Sequence, residues 1–597
     1  MRREDLLGHY ERELLYLRRA GEGFSRAFPK VAGRLALGPD EAGDPHVERL
    51  IESFAFLTAR LQLNLDREFP RFTDALLGVL YPHLTAPIPS CAIARFKVDP
   101  EKGPLTDGYR IARGTPVHAM AGEDVRCRFT TTSEVELWPV SVDATSIQIP
   151  DGYAFEDGLV AAVVRIDLSA LGVAFENLSL RRLRVFIDSE PTVAAALFEA
   201  LTSDVVEAIY ESDGGAPVRF KNAARLVQAA GLDPEESLFP YPSNGHPAYR
   251  LIQEYFAFPQ KFLFLDIEIP EGALKGGRGC LLLGLRKPPP ARLAIRPDTL
   301  VTGCTPIVNL FSRAAEPIRL DQRRTAYLVV PDAQRDRITE VYAVKSVSGI
   351  RDDGRRIPYV PLFSTEHAEA GEAREAFWYA TREASQRDDR PGTETWLSFV
   401  DLNFDPAEPA TETLLIQTLC TNRSLAEEVP AKATLALEDA APVAMVSLLY
   451  KPTLPRYRGG AGETAWRLVS QMSLNHLSLS SGTETLRALQ EILTLHAFDD
   501  PASRVQIAAL RSLEVRPAVH RVGQDAWRGF CRGLEVTLEV DERGFVGASP
   551  LVFGEVLSRF LGLYAGINSF VQLRFRSMQR GGNWKTWSRT AGAQHVL

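Results

Sequence analysis

The chain has 597 residues, which at roughly 150 residues per domain sets an expectation of about four domains and excludes a single small module. With 45% hydrophobic and 24% charged residues its make-up is that of a globular chain, so wholesale disorder, collagen and coiled-coil fibre are excluded. A formal net charge of −8 leaves no basic footprint for a phosphate backbone, and nucleic acid is not an expected partner.

Six cysteines stand at 91, 127, 280, 304, 420 and 531, never as a Cys-x-x-Cys pair, so neither a disulfide framework nor a zinc knuckle is signalled and a reducing compartment is expected. The opening MRREDLLGHYERELL has acids by position 4 and no apolar core of a signal peptide, and no stretch approaches the ~20 apolar residues of a bilayer span. A cytoplasmic protein is the expectation.

In chain order, Leu7, Tyr10, Leu14, Leu17, Gly21, Phe24 and Phe28 recur at three and four, the seam of a coiled-coil-like helix that Pro29 ends. A second helix opens at Asp44-Pro45, a capping residue followed by proline at the first helical position, and runs to Phe69, where Pro70 is expected to stop it. On its wheel Val47, Leu50, Ile51, Phe54, Leu57, Leu61 and Leu65 share one side, while Phe56 and Leu63 emerge opposite, so the helix needs two partners. A short helix over Thr73–Tyr81 and the prolines at 82, 87 and 89 close this region.

From Cys91 the texture turns to strands: 93–98, 125–131, 160–168, 183–187 and 262–269, interrupted by one helix with Thr192 as its cap and Leu197, Phe198, Leu201, Val205 and Ile209 as its apolar face. Lys287-Pro288-Pro289-Pro290 marks a break, after which 326–330, 341–347 and 414–419 read as strands and 367–393 as an exposed charged loop. The last section alternates helix 486–496, strand 534–540, helix 551–565 and strand 570–575. The fold class is therefore multidomain α+β: an N-terminal helical segment (1–90), two strand-rich middle domains (91–290 with one inserted helix, 291–458) and a C-terminal α+β domain (459–597).

Chemistry-bearing patterns are sparse. Gly460-Ala461-Gly462-Glu463-Thr464-Ala465 matches G-x-G-x-x-A by letter, but Pro452 and Pro455 precede it where a buried strand is required, so it reads as a linker. Gly272–Gly279 lacks the Gly-Lys-Ser/Thr of a phosphate loop and reads as a glycine-rich hairpin. The ten histidines form no metal-binding pair on a helix; His496, four residues after Ile492, reads as a packed core histidine and His83 as a packing or solvated one. Asp352-Asp353 and Asp499-Asp500 sit in turn contexts where Asp fixes backbone, not in a general acid–base pair. No catalytic residue, cofactor or metal ligand is singled out. The apolar and aromatic excess on helices that already have a core face favours permanent protein interfaces; an enzyme with a pocket that no motif announces is the competing class, and a monomeric carbohydrate-binding or adhesin-like β protein the third.

Several stretches resemble one family, the TssF baseplate subunits of type VI secretion systems. They are Tyr10-Glu11-Arg12-Glu13-Leu14, Phe28-Pro29-Lys30-Val31-Ala32-Gly33-Arg34-Leu35, Asp44-Pro45-His46-Val47-Glu48-Arg49-Leu50-Ile51-Glu52 and Leu76-Leu77-Gly78-Val79-Leu80-Tyr81-Pro82-His83. Further along come Glu254-Tyr255-Phe256-Ala257-Phe258-Pro259 with Lys261-Phe262, Gly303-Cys304-Thr305-Pro306 with Val308-Asn309-Leu310-Phe311, Arg532-Gly533-Leu534-Glu535-Val536-Thr537 and Ile567-Asn568-Ser569-Phe570. Gln322 departs from the histidine expected there. The resemblance implies a wedge component that pairs with a second TssF copy and with TssG. TssK, the VgrG hub, the sheath-proximal subunit TssE and neighbouring wedges are the further partners it implies, with docking at the inner membrane only through the baseplate. On this reading Leu7, Tyr10, Leu14, Leu17, Phe54, Phe56 and Leu63 are the candidate interface residues of a shared helical bundle.

Overall fold

The computed structural model describes residues 3–34, 44–80, 85–241, 248–290, 293–350, 354–362, 376–401, 413–457, 483–521 and 530–592, less positions 104, 123–124, 154, 157, 214, 222, 322–323, 355, 386, 388–391, 499, 564 and 566–568. Helix α1, Arg3–Ala27, ends before Pro29, which takes the first position of the short α2, Pro29–Arg34, where its missing N–H costs nothing. Helix α3 spans Pro45–Leu80. Asp44 starts it, its Oδ1 accepting the His46 N–H at 2.8 Å. Pro70 does not stop α3, and the helix expected over Thr73–Tyr81 is its continuation. An interior proline costs about 3 kcal/mol, which contacts of α3 with α1 and with the strand Ala376–Ala384 offset, and the 36 residues reach about 54 Å at 1.5 Å each.

Beyond the helices, six strands close a barrel in the order Cys91–Val98, Cys304–Val308, Val125–Thr131, Pro116–Ala121, Thr434–Leu437 and Val443–Leu448. Alternation puts Ala92, Ala94 and Phe96 into the barrel core and turns Arg95 and Lys97 outward. The barrel joins segments from both sides of Lys287–Pro290.

A five-stranded sheet (Val218–Phe220, Val205–Ser212, Arg278–Leu285, Ala162–Ala170, Val140–Gln148) lies over a four-stranded one (Val227–Ala229, Phe264–Glu268, Arg182–Ile187, Leu300–Thr302), and both contribute to one large core. Two sequence readings change here. Val205 and Ile209 belong to a strand, because the helix Pro191–Ser203 is followed by β-branched residues; its N-cap is Glu190, not Thr192. Gly272–Gly279 is not a hairpin: Phe264–Glu268 pairs with Arg182–Ile187, whereas Arg278–Leu285 pairs with Ala162–Ala170 and Val205–Ser212, so the glycine-rich loop carries the chain from one sheet to the other.

An eight-stranded sheet built around Glu340–Ile350 and Thr413–Thr421 includes Ala376–Ala384, which pairs antiparallel with Thr393–Asp401. The charged stretch read as a loop thus contains a strand whose Ala376 and Trp378 are buried; the remainder of 367–393 up to position 375 lies outside the described residues. In the C-terminal section Phe530–Val540 and Ser569–Ser577 run parallel, joined by the crossover helix Pro550–Leu563, with Leu510–Arg521 on the outer side. That helix packs on Ala248–Ala257, with the Tyr255 and Phe553 rings 5.4 Å apart, and its Val556 and Phe560 join the same core as the two stacked sheets.

Candidate interaction surface

The central stretch Glu254–Phe262 forms a buried ionic knot. Glu254 and Lys261 are both 0% exposed and pair directly; Arg250 lies 3.3 Å from the same carboxylate, and the Leu238 N–H donates to it at 2.9 Å. Burial pushes the Lys261 amine below its ordinary range against the pull of Glu254. Gly303 has φ +70°, and a Cβ there would meet the Phe96 carbonyl at 2.4 Å, so the strand pair Cys91–Val98 and Cys304–Val308 needs glycine at that point. Asn309 donates to the Asn422 side chain at 3.0 Å and accepts the Asn422 N–H at 2.6 Å, tying the barrel to the strand Thr413–Thr421 and its following turn. These motif residues hold the fold together from inside.

The other candidates also resolve into packing. His496 is buried, donates its Nδ1–H to the Ile492 carbonyl at 2.9 Å and stacks on Tyr249 at 5.6 Å. Asp500 caps the helix Pro501–Ala508, accepting from the Ser503 N–H at 3.1 Å; burial raises its pKa, but the Ser503 hydroxyl and N–H override it and hold the carboxyl below its usual value. Burial pushes the Cys127 and Cys280 thiols up to about 12 and that of Cys420 to about 11, and raises Cys91 and Cys304 as well, which keeps all five protonated and weakly nucleophilic at neutral pH. Among the described residues no group of three or more His, Cys, Asp and Glu could hold a metal ion. His83, Gln322, Asp352-Asp353, Asp499 and the Gly460–Ala465 pattern lie outside the described residues.

What the helices present outward is different in kind. α1 packs on α3, and Arg18 pairs with Glu48 across them at 2.6 Å. Tyr10, Leu14 and Leu17 are half-buried on α1, while Leu7 is exposed. On α3 the side turned inward carries small residues: Ala55 and Ala59 are 0% exposed, with Val47, Ile51 and Thr58 half-buried beside them. Small side chains four apart let α1 approach closely. The large apolar residues face away. Leu50, Phe54, Leu57 and Leu61, spaced 4-3-4, are 56–69% exposed, and Phe56 on another side is also exposed. The side chain of Leu63 lies outside the described residues.

The wheel reading therefore found the apolar row but not its direction, having placed Leu50, Phe54, Leu57 and Leu61 together with Val47 and Ile51 on a single side. Leu50, Leu57 and Leu61, absent from the expected interface set, belong with Phe54 on the uncovered row. The signal that could have separated them is the Ala55-x-x-x-Ala59 pair, which marks the close-contact side. Covering the four side chains, each about two-thirds exposed, is worth about 4–8 kcal/mol before association costs.

A family model described as "Type VI secretion system, TssF" matches residues 2–594. The chain belongs to the TssF family. It is 35% identical to the type VI secretion system component TssF1 of Pseudomonas aeruginosa, covering 96% of this chain and 97% of that protein. Among solved structures it resembles a chain of the type VI secretion TssK-TssF-TssG baseplate subcomplex, with TM-score 0.72, 26% identity and coverage of 91% and 98%. It also resembles a chain of a type VI secretion baseplate complex, with TM-score 0.60, 25% identity and coverage of 99% and 100%. As a TssF-family chain it is thus matched over both its helical start and its strand-rich body, and none of its described helices is long and apolar enough to cross a membrane.

Proposed function

We propose that this TssF-family chain is a structural, non-enzymatic subunit of a type VI secretion baseplate, held to a TssG-type subunit and to a second copy of itself through the α1–α3 pair. The observation that carries this reading is the uncovered row Leu50, Phe54, Leu57 and Leu61 on a helix whose opposite alanine side already has its partner. A row at 4-3-4 spacing is the geometry that a neighbouring helix packs against. The solved complexes that contain its structural relatives, one with TssK and TssG, support the assignment. The wedge role, contacts to TssK, TssE, the VgrG hub and adjacent wedges, and a cytoplasmic site docked at the inner membrane through the baseplate belong to the same proposal. Its work is mechanical: packed interfaces with two discrete arrangements hold the assembly until a signal lets it rearrange and the sheath contract.

The test is co-expression with the TssG-type partner followed by affinity capture and sizing. Phe54→Glu and Phe56→Glu, both at exposed positions, should leave soluble chain and abolish the complex. Wild-type recovery of the complex with both variants would refute the bundle assignment, and loss of solubility would show that these side chains belong to an internal core.

A further inference from the structure

Where the barrel meets the four-stranded sheet, the fold leaves a small crevice. Period-two alternation sends Arg95 and Lys97 into it from the strand Cys91–Val98, and Arg182 and Arg184 from the strand Arg182–Ile187. The two pairs are not equivalent. Arg184 forms a two-bonded pair with Asp266 (2.7 and 2.9 Å) and also meets Glu236 at 2.5 Å, and Arg182 reaches Asp266 at 3.3 Å. Among the described residues Arg95 and Lys97 have no carboxylate partner, and the one carboxylate in the lining, Glu136, is drawn to Arg110 at 3.5 Å.

Like charges brought into one crevice repel one another, and that penalty falls if an anion sits between them.

From these groups we infer a binding site for a small multivalent oxyanion, of the phosphate or polycarboxylate type, held by Arg95 and Lys97. Arg182 also lines the crevice. Arg95 supplies a fork suited to two oxygens of one anion and Lys97 a point charge. No bond is made or broken. The site bridges barrel and sheet, so an occupant would tie the two together at the Gly303 contact. This inference is independent of the assembly reading above, since none of its residues lies on a helix.

The probes are inorganic phosphate, pyrophosphate and citrate, titrated calorimetrically into the full chain at low salt. Pyrophosphate or citrate should bind with one-site stoichiometry more tightly than phosphate and weaken steeply with added NaCl. Arg95→Gln and Lys97→Gln should each weaken it by about tenfold. The exposed distant Lys30→Gln should change nothing. No binding by any of the three probes at about 10 mM, or equal affinity in wild type, Arg95→Gln and Lys97→Gln, would overturn the site. Circular dichroism of each variant keeps a folding failure from passing as loss of binding, and Lys97, on the exposed side of its strand, gives the variant least able to disturb the fold.

Discussion

Replacing Glu254 by Gln should destabilise the protein far more than replacing Lys261 by Met, although the two residues form one ion pair. Both side chains are 0% exposed, so neither charge has water to fall back on. With Lys261→Met the carboxylate keeps Arg250 at 3.3 Å and the Leu238 N–H at 2.9 Å, so the loss lies near the lower end of the roughly 3–5 kcal/mol seen when a buried pair is broken. Glu254→Gln keeps the shape but removes the carboxylate that Lys261 and Arg250 share, so the loss is at the upper end, about 5 kcal/mol. At about 2–4 °C per kcal/mol for a cooperative unit of ~200 residues, these correspond to falls of roughly 6–12 °C and 10–20 °C in the first melting transition. Scanning fluorimetry reads them directly. The pH dependence adds a second signature. Burial already depresses the Lys261 amine, and without Glu254 the folded state binds fewer protons than the unfolded state between the lowered folded pKa and the ordinary lysine value of about 10.4. Stability of Glu254→Gln should therefore rise from pH 7 toward pH 9.5 more steeply than that of wild type, in which Glu254 offsets part of the burial of the Lys261 amine. Equal losses in the two variants, or a shift under about 2 °C for Glu254→Gln, would show that the knot is wet and its charges are not held by one another.

Gly303→Ala combines a left-handed backbone with a Cβ at 2.4 Å from the Phe96 carbonyl and should cost about 2–4 kcal/mol, whereas Gly354→Ala, at φ +80° with nothing within 4 Å, should cost only about 1–2 kcal/mol; thermal melting compares them. Ala59→Leu forces a large side chain into the α1–α3 contact and should lose about 1–3 kcal/mol of N-terminal stability, read as faster limited proteolysis of residues 3–34, while Leu61→Gln, on the exposed row, should leave it unchanged. The Asp500 carboxyl is held below its ordinary value, so its capping contribution is complete above the unfolded pKa of about 3.9 and lost as pH falls through the folded one. Asp500→Asn, which caps without charge, should melt with a shallower pH dependence below pH 4 than wild type; superimposable profiles would remove Asp500 from the acid response.

Local chemistry determined much of the chain. The helix start at Asp44-Pro45, the end of α1 before Pro29, the Asp500 cap and the strands Val125–Thr131 and Thr413–Thr421 follow from capping, proline geometry and period-two patterning, each of which acts over a few residues. The apolar excess on the second helix was legible as well, because composition and spacing record how much hydrophobic surface a helix carries. Its direction was not. Whether Leu50, Phe54, Leu57 and Leu61 or Ala55 and Ala59 meet α1 depends on how closely two backbones approach, and only the packed pair decides that. The continuation of α3 through Pro70 is likewise a tertiary outcome, in which contacts of α3 with α1 and with the strand Ala376–Ala384 outweigh a local preference of a few kcal/mol. Strand partners separated by hundreds of residues, such as Ala94 with Leu448, and a core that joins Tyr255 to Phe553 leave no trace in any sequence window. Burial of apolar area rewards those contacts only once the whole chain has come together.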